Sequence, residues 1–201
     1  LVESKMRVLT DAGLEPGMVD VDAFALHNAY EMNHPEAMEG MVALVNIGHD
    51  VTNINILEEG VPILTRDLTL GTRRFAEDLQ RDRGITAEET AALIQGSDRS
   101  PHLDAVNETR GEEIAVGVER AVAFLSSNMK GGAVVRAVYT CGGGARIPGL
   151  TDQLGSRLRM EAQMANPLAV LAMAEGALEG LAADTIAPLL MLPIGLALRV
   201  V

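Results

Sequence analysis

Residues 41–65, MVALVNIGHDVTNINILEEGVPILT, constrain this chain more than any other stretch. Met41 to Val45 are all apolar, and with Asn46 and Ile47 they make a run too short for most helices. Such a run reads as a strand buried on both faces. Gly48-His49-Asp50 interrupts it, and Thr52-Asn53-Ile54-Asn55-Ile56 then alternates at the period of a half-buried strand. Glu58-Glu59-Gly60 turns the chain into Val61-Pro62-Ile63-Leu64, so the expectation is a three-strand meander. Gly48 lets backbone N–H groups approach a ligand and Thr52 adds a hydroxyl, which suits a phosphate; an ordinary hairpin has the same pattern.

The rest of the chain alternates helices and strands. Val2, Met6 and Leu9 share a helical stripe that Gly13 stops, Met18 to Val21 reads as a short strand, and Asp22 is placed to cap a helix from Ala23 to about Met32. Phe24, Ala25, Leu26 and the small Ala29 suit that helix to close packing. After the meander, a polar helix from Arg73 to Arg83 ends at Gly84, and Thr86 with Glu89 has the spacing of a capping box. Gly96 to Asn107 reads as a loop containing a solvated His102, and Glu112 to Asn128 as an amphipathic helix. Val134 to Thr140 is a buried strand, followed by Cys141-Gly142-Gly143-Gly144-Ala145-Arg146-Ile147-Pro148-Gly149-Leu150. Three glycines at a strand end, with a helix start near Pro148, leave a gap where a flat ring or a phosphate can rest against backbone. The spacing is neither the dinucleotide fingerprint nor the P-loop. A helix from Leu150, an edge strand from Glu161 to Ala165, and closing helices over residues 168–181 and 185–201 complete an α/β order with a mixed sheet.

Composition excludes several classes of function. A net charge of −12 without any basic block argues against nucleic acid, whose phosphates need clustered Lys and Arg. The single Cys141 rules out an internal disulfide, and no His or Cys pair stands at metal-ligand spacing. Residues 186–201 are the most apolar stretch, but they are too few to span a bilayer and contain Pro188 and Pro193, so they read as buried helix. The start at Leu1, in mid-helix, suggests a fragment.

Four stretches, in this order, resemble the actin-like ATPase superfamily of actin, Hsp70 and sugar kinases. Asp20 to Tyr30 is similar to the first connecting helix, Asn46 to Thr52 to the second phosphate loop, Cys141 to Leu150 to the adenosine motif, and Pro193 to Arg199 (PIGLALR) to the second connecting helix. The detailed wording, including AGLEPGMVDVDAFAL, ILTRDLTLGTRRFAEDL, GGGARIPGLTDQL and Asn166-Pro167, is closest to the PilM family of type IV pilus assembly, with the division protein FtsA next. The resemblance runs from about Leu9 to Arg199.

The resemblance implies a ribonuclease H-like fold: residues 1–36 as the end of domain I with the first connecting helix, 37–184 as domain II with a small insert near 70–110, and 185–201 as the second connecting helix. It implies ATP with Mg²⁺ as ligand, held by Asn46, Gly48, His49, Asp50, Thr52, Gly142, Gly143, Gly144 and Ile147. It also implies a cytoplasmic scaffold of pilus biogenesis and twitching motility. Such a scaffold docks the cytoplasmic tail of PilN, chiefly through domain I, and reaches the inner-membrane alignment complex and the motor ATPases; self-association stays open. Three departures qualify this. The first phosphate loop is absent, Asn46 stands where the family carries Asp, and Ala91 and Ile94 stand where relatives carry Glu and Lys. Without a carboxylate at position 46 to attract Mg²⁺, hydrolysis is expected to be weak at most. A slow ATPase is the alternative, and a sugar or acid kinase is disfavoured because no substrate-binding domain is visible.

Overall fold

The computed structural model describes residues 2–34, 39–96, 99–129 and 132–199. Its centre is a five-stranded mixed sheet in the order β3-β2-β1-β4-β5. The expected meander forms: β1 (Met41–Ile47), β2 (Thr52–Glu58) and β3 (Val61–Leu68) pair antiparallel in turn. On the other side of β1, β4 (Val135–Cys141) and the edge strand β5 (Glu161–Met164) run parallel. The apolar run of β1 is buried on both faces because helices cover both. Met41, Ala43, Val45 and Ile47 pack toward α3 (Thr72–Arg83), α5 (Pro101–Asn128) and α6 (Leu150–Leu158). Val42 and Leu44 pack toward α2 (Asp22–Asn33) and α7 (Ala183–Ala197). Ile114, Val118 and Leu125 of α5 lie buried in the first layer, each contributing roughly 1.5–3 kcal/mol relative to exposure.

Local signals set several boundaries as read. Gly84 ends α3 in the left-handed conformation at φ +65, which a glycine adopts without strain. The next helix, α4 (Ala87–Gln95), starts with the expected capping box: Glu89 N donates to Thr86 Oγ1, and Thr86 N donates to Glu89 Oε2. The first helix, α1 (Val2–Asp11), carries its stripe of Val2, Met6 and Leu9, but none of it is buried.

Four expectations are corrected. Residues 18–21 form no strand; Met18, Val19 and Val21 are exposed, and among the described residues no strand pairs with them. Asp22 does not cap α2, which begins at Asp22 itself after Val21, and Phe24 points out of the core. Residues 101–107 are helix rather than loop, with Pro101 at the first helical position and Ser100 Oγ accepting from Leu103 N at 3.1 Å; residues 97 and 98 of that loop lie outside the described set. His102 is therefore an exposed residue in the first turn of α5. Residues 168–181 form turns, not a helix. Their Ala and Leu favour helix, but no stripe finds a core, and Gly176 and Gly180 sit at φ +77 and +78. The domain boundary expected between residues 36 and 37 lies outside the described residues, as do residues 200 and 201 of the last helix.

The close helix approach expected from small residues in α2 is found against α7. A Cβ on Gly195 would stand 1.7 Å from the Ala25 carbonyl oxygen, so the two backbones touch. Where the pair ends, Arg199 grips Asp20 in a fork, Nε to Oδ2 at 2.6 Å and Nη2 to Oδ1 at 3.2 Å. The Arg199 hydrogen bond holds the Asp20 carboxyl below its ordinary 3.8, and the Val21 N–H adds to this against the opposing effect of burial. A depressed folded pKa stabilises above the ordinary value and loses that contribution as pH falls through it. Wild type is therefore expected to melt above Asp20→Asn at about pH 6, and the gap in thermal scans should close toward about pH 3.

Candidate functional site

Because β1 and β4 are parallel neighbours, their carboxyl ends open on the same edge of the sheet, the usual ligand side of such sheets. Two turns leave there side by side: residues 48–51 after β1 and residues 142–149 after β4. Nine residues expected at the site lie in or beside these turns, but their side chains do different things.

The first turn is a backbone construction. Gly48 N donates to Val51 O at 3.0 Å, while the Gly48 and His49 carbonyls accept from Thr72 N and Arg73 N at the start of α3. His49 Nδ1 lies 3.4 Å from Thr72 Oγ1, and Asp50 is ion-paired with Arg73 at 2.6 Å. Thr52 does not present its hydroxyl outward. It is fully buried and donates to Leu70 O at 2.7 Å, which fixes the approach to Gly71. Gly71 was not expected here, yet a Cβ on it would stand 2.4 Å from the His49 carbonyl oxygen. Asn46, at the end of β1, has its amide engaged by its neighbours on β2 and β4.

In the second turn the three glycines divide by role. Gly142 has φ +78, and a Cβ there would meet Asn46 Oδ1 at 2.4 Å. Its N–H donates to Pro188 O of α7 at 2.9 Å. Gly144 opens no gap either, since its Cβ would lie 2.1 Å from Ile47 Cγ2. Gly143 is the free one: its nearest neighbour is Leu189 Cδ2 at 4.0 Å, and its φ lies outside the left-handed region. Residues Gly143–Arg146 wind as a 3-10 turn before α6 begins at Leu150.

Beside this turn lies a cavity of about 500 Å³, bounded by the end of α4, the starts of α6 and α7, and the end of β5. Ile147, Ala145 and Met164 supply an apolar wall, and Thr151, Asp152 and Thr185 supply polar atoms. Of the nine expected residues only Ile147 lines it; the stretch from Ala145 to Asp152 was the available signal for its neighbours, and nothing local marked Gln95, Met164 or Thr185. Thr151 is held by Thr140 through a 2.7 Å hydroxyl pair. The cavity has the size and mixed lining of a small-molecule site. Cys141 is buried, and burial pushes its thiol pKa far up, so it stays protonated. Among the described residues no group of three or more His, Cys, Asp or Glu is placed to hold a metal. No helix among them is long and apolar enough to cross a membrane.

The sheet order, its two helical layers and the paired turns define an α/β actin-like ATPase fold, which solved structures share. A family model described as Type IV pilus assembly protein PilM matches residues 1–201, and the chain belongs to that family. The structure of a PilM–PilN type IV pilus biogenesis complex is similar at 23% identity and TM-score 0.81, covering 98% of this chain and 57% of that one. The ethanolamine utilization protein EutJ from Carboxydothermus hydrogenoformans is similar at 24% identity and TM-score 0.68, covering 96% and 59%. MreB5 of Spiroplasma citri, solved with AMPPNP, is similar at 13% identity and TM-score 0.63, covering 98% and 62%. At these identities the likeness establishes the fold. This chain spans about three fifths of each of those chains.

Proposed function

We propose that this chain is the nucleotide-binding half of a PilM-type scaffold in type IV pilus assembly, for which ATP with Mg²⁺ is a conformational ligand rather than a consumed substrate. The observation that carries this reading is the open face of Gly143 beside the cavity walled by Ile147, on the same sheet edge as the turn after β1. A flat base fits the apolar wall, and Gly143 lets backbone come close to the sugar and phosphates. The turn at Gly48 would hold the phosphates chiefly by its backbone, because the side chains of His49, Asp50 and Thr52 all have partners inside the protein. Mg²⁺ would take most of its ligands from phosphate and water, which suits the neutral Asn46. Binding energy that favours one angle between this half and the remainder of the protein shifts that equilibrium without turnover. The scaffold works in the cytoplasm at the inner membrane, held there by the PilN tail; no PilN contact is assigned to these residues.

The test is titration of the whole protein with Mg-ATP, following heat and phosphate release together. Binding without phosphate release is the expected result. Release at a steady rate would replace the scaffold reading with that of a slow ATPase.

A further inference from the structure

A row of polar side chains crosses the sheet at its ligand edge, from part-buried Asn46 and Asn53 to exposed Asp67. Asn46 on β1 stands opposite Asn53 on β2, Asn53 opposite Asp67 on β3, and Asn46 opposite Cys141 on β4. Each step is bonded. Asn53 Nδ2 donates to Asp67 Oδ1 at 2.7 Å, Asn46 Nδ2 donates to Asn53 Oδ1 at 3.1 Å, and the Cys141 thiol donates to Asn46 Oδ1 at 3.7 Å.

The direction of these bonds is dictated from one end. An ionised carboxylate only accepts, so Asn53 must turn its amino group to Asp67 and its oxygen to β1. Asn46 must then donate toward β2, which leaves its oxygen facing β4. At the far end Cys141 is locked as a donor, because burial keeps its thiol protonated. The oxygen of Asn46 also lies directly beneath Gly142, which therefore rests on the last amide of the row.

We propose that Asp67 is the positioning residue of the phosphate end of this site: acting through Asn53, it fixes which way the Asn46 amide faces under the Gly142–Gly144 turn. The row's one carboxylate stays two strands, about 10 Å, away. This rests on the nucleotide reading above. A polyphosphate arriving between the two turns then meets an amide instead of a negative charge, and needs no metal ion to bridge it to position 46.

The test is a cycle of Asn46→Asp, Asp67→Asn and the pair, made in the whole protein. Asn46→Asp sets an acceptor against Asn53 Oδ1, and the melting temperature should fall by about 5 °C. In the pair the two amide bonds reverse, the Cys141 thiol still donates to position 46, and all are again satisfied, so more than half of that loss should return. Residues two strands apart and not in contact otherwise add independently. ATP affinity is read with Mg²⁺ and with a chelator: the wild type should lose less than about 3-fold on chelation and the pair about 10-fold, because the carboxylate now faces the phosphates. Simple addition of the two stability losses would overturn the row as a relay. Recovery of stability with no change in metal dependence would keep the relay and overturn the placement of phosphates beside Asn46. If the wild type binds no ATP, the nucleotide reading falls, and the melting temperatures still decide the relay.

Discussion

Gly195→Ala is expected to cost about 3 kcal/mol of stability, the largest effect of any single methyl group added to this protein. The added carbon has nowhere to go. Its ideal position is 1.7 Å from the Ala25 carbonyl oxygen and 2.4 Å from the carbon that bears it. Both are backbone atoms inside α2, so no rotamer change relieves the contact and trimming the Ala25 side chain does not help. The two helices must separate, which opens the layer where Leu26, Ala29, Tyr30 and Met191 are buried. Alanine gains about 1 kcal/mol over glycine in helix propensity, too little to offset a backbone clash. Gly117→Ala is the control. Its new carbon would meet only the side chains of Ile54 at 3.0 Å and Leu68 at 3.5 Å, which can yield, so the propensity gain should roughly cancel the crowding. Denaturant melts of both variants check the pair; equal losses would mean that the α2–α7 contact is not the tight point.

Gly143→Val is expected to lower ATP affinity by more than about 100-fold while the melting temperature moves by no more than about 2 °C. The two halves of that expectation have separate causes. A Cβ at Gly143 meets nothing closer than Leu189 Cδ2 at 4.0 Å and requires no left-handed backbone, so the fold has room for it. That room is the space assigned to the ligand. Gly144→Val is the contrasting variant, because its branched side chain would be driven into Ile47 and the core. Calorimetric titration of Gly143→Val with Mg-ATP, next to a thermal scan, checks the first variant; retained affinity would move the nucleotide away from this turn.

What the sequence revealed depended on whether a signal was local. The buried β1 and the capping box at Thr86 are written within a few adjacent residues, and both formed as read. The start of α5 was hidden by the Ser, Asp, Pro and His of residues 96–107, a composition that reads as loop. In the structure Asn107 Nδ2 donates to Pro148 O at 2.9 Å, and Gly111 leaves room for Leu150, whose Cδ1 would lie 3.3 Å from a Cβ there. Both suit the helix because of what α6 brings to it, and periodicity along α5 contains none of that. The opposite failure occurred at residues 168–181, where helix-forming composition found no partner layer. At the site, the glycine triplet was visible but the division among its members was not, since it depends on Ile47 and Asn46 from another strand. The hydroxyl of Thr52 misled for a related reason: its partner, Leu70, lies beyond a whole strand. Asp67 was invisible as a participant until register set it in line with Asn46.

The bond from Gly142 to Pro188 has a mechanical consequence. Gly142 belongs to the turn proposed to touch the ligand, while Pro188 belongs to a helix fastened along its length to α2 and tied to it at the end by Asp20 and Arg199. If an incoming molecule shifts Gly142 by a fraction of an ångström, it must either break that bond or carry the helix along. The two helices, joined where their backbones touch, would then have to move together.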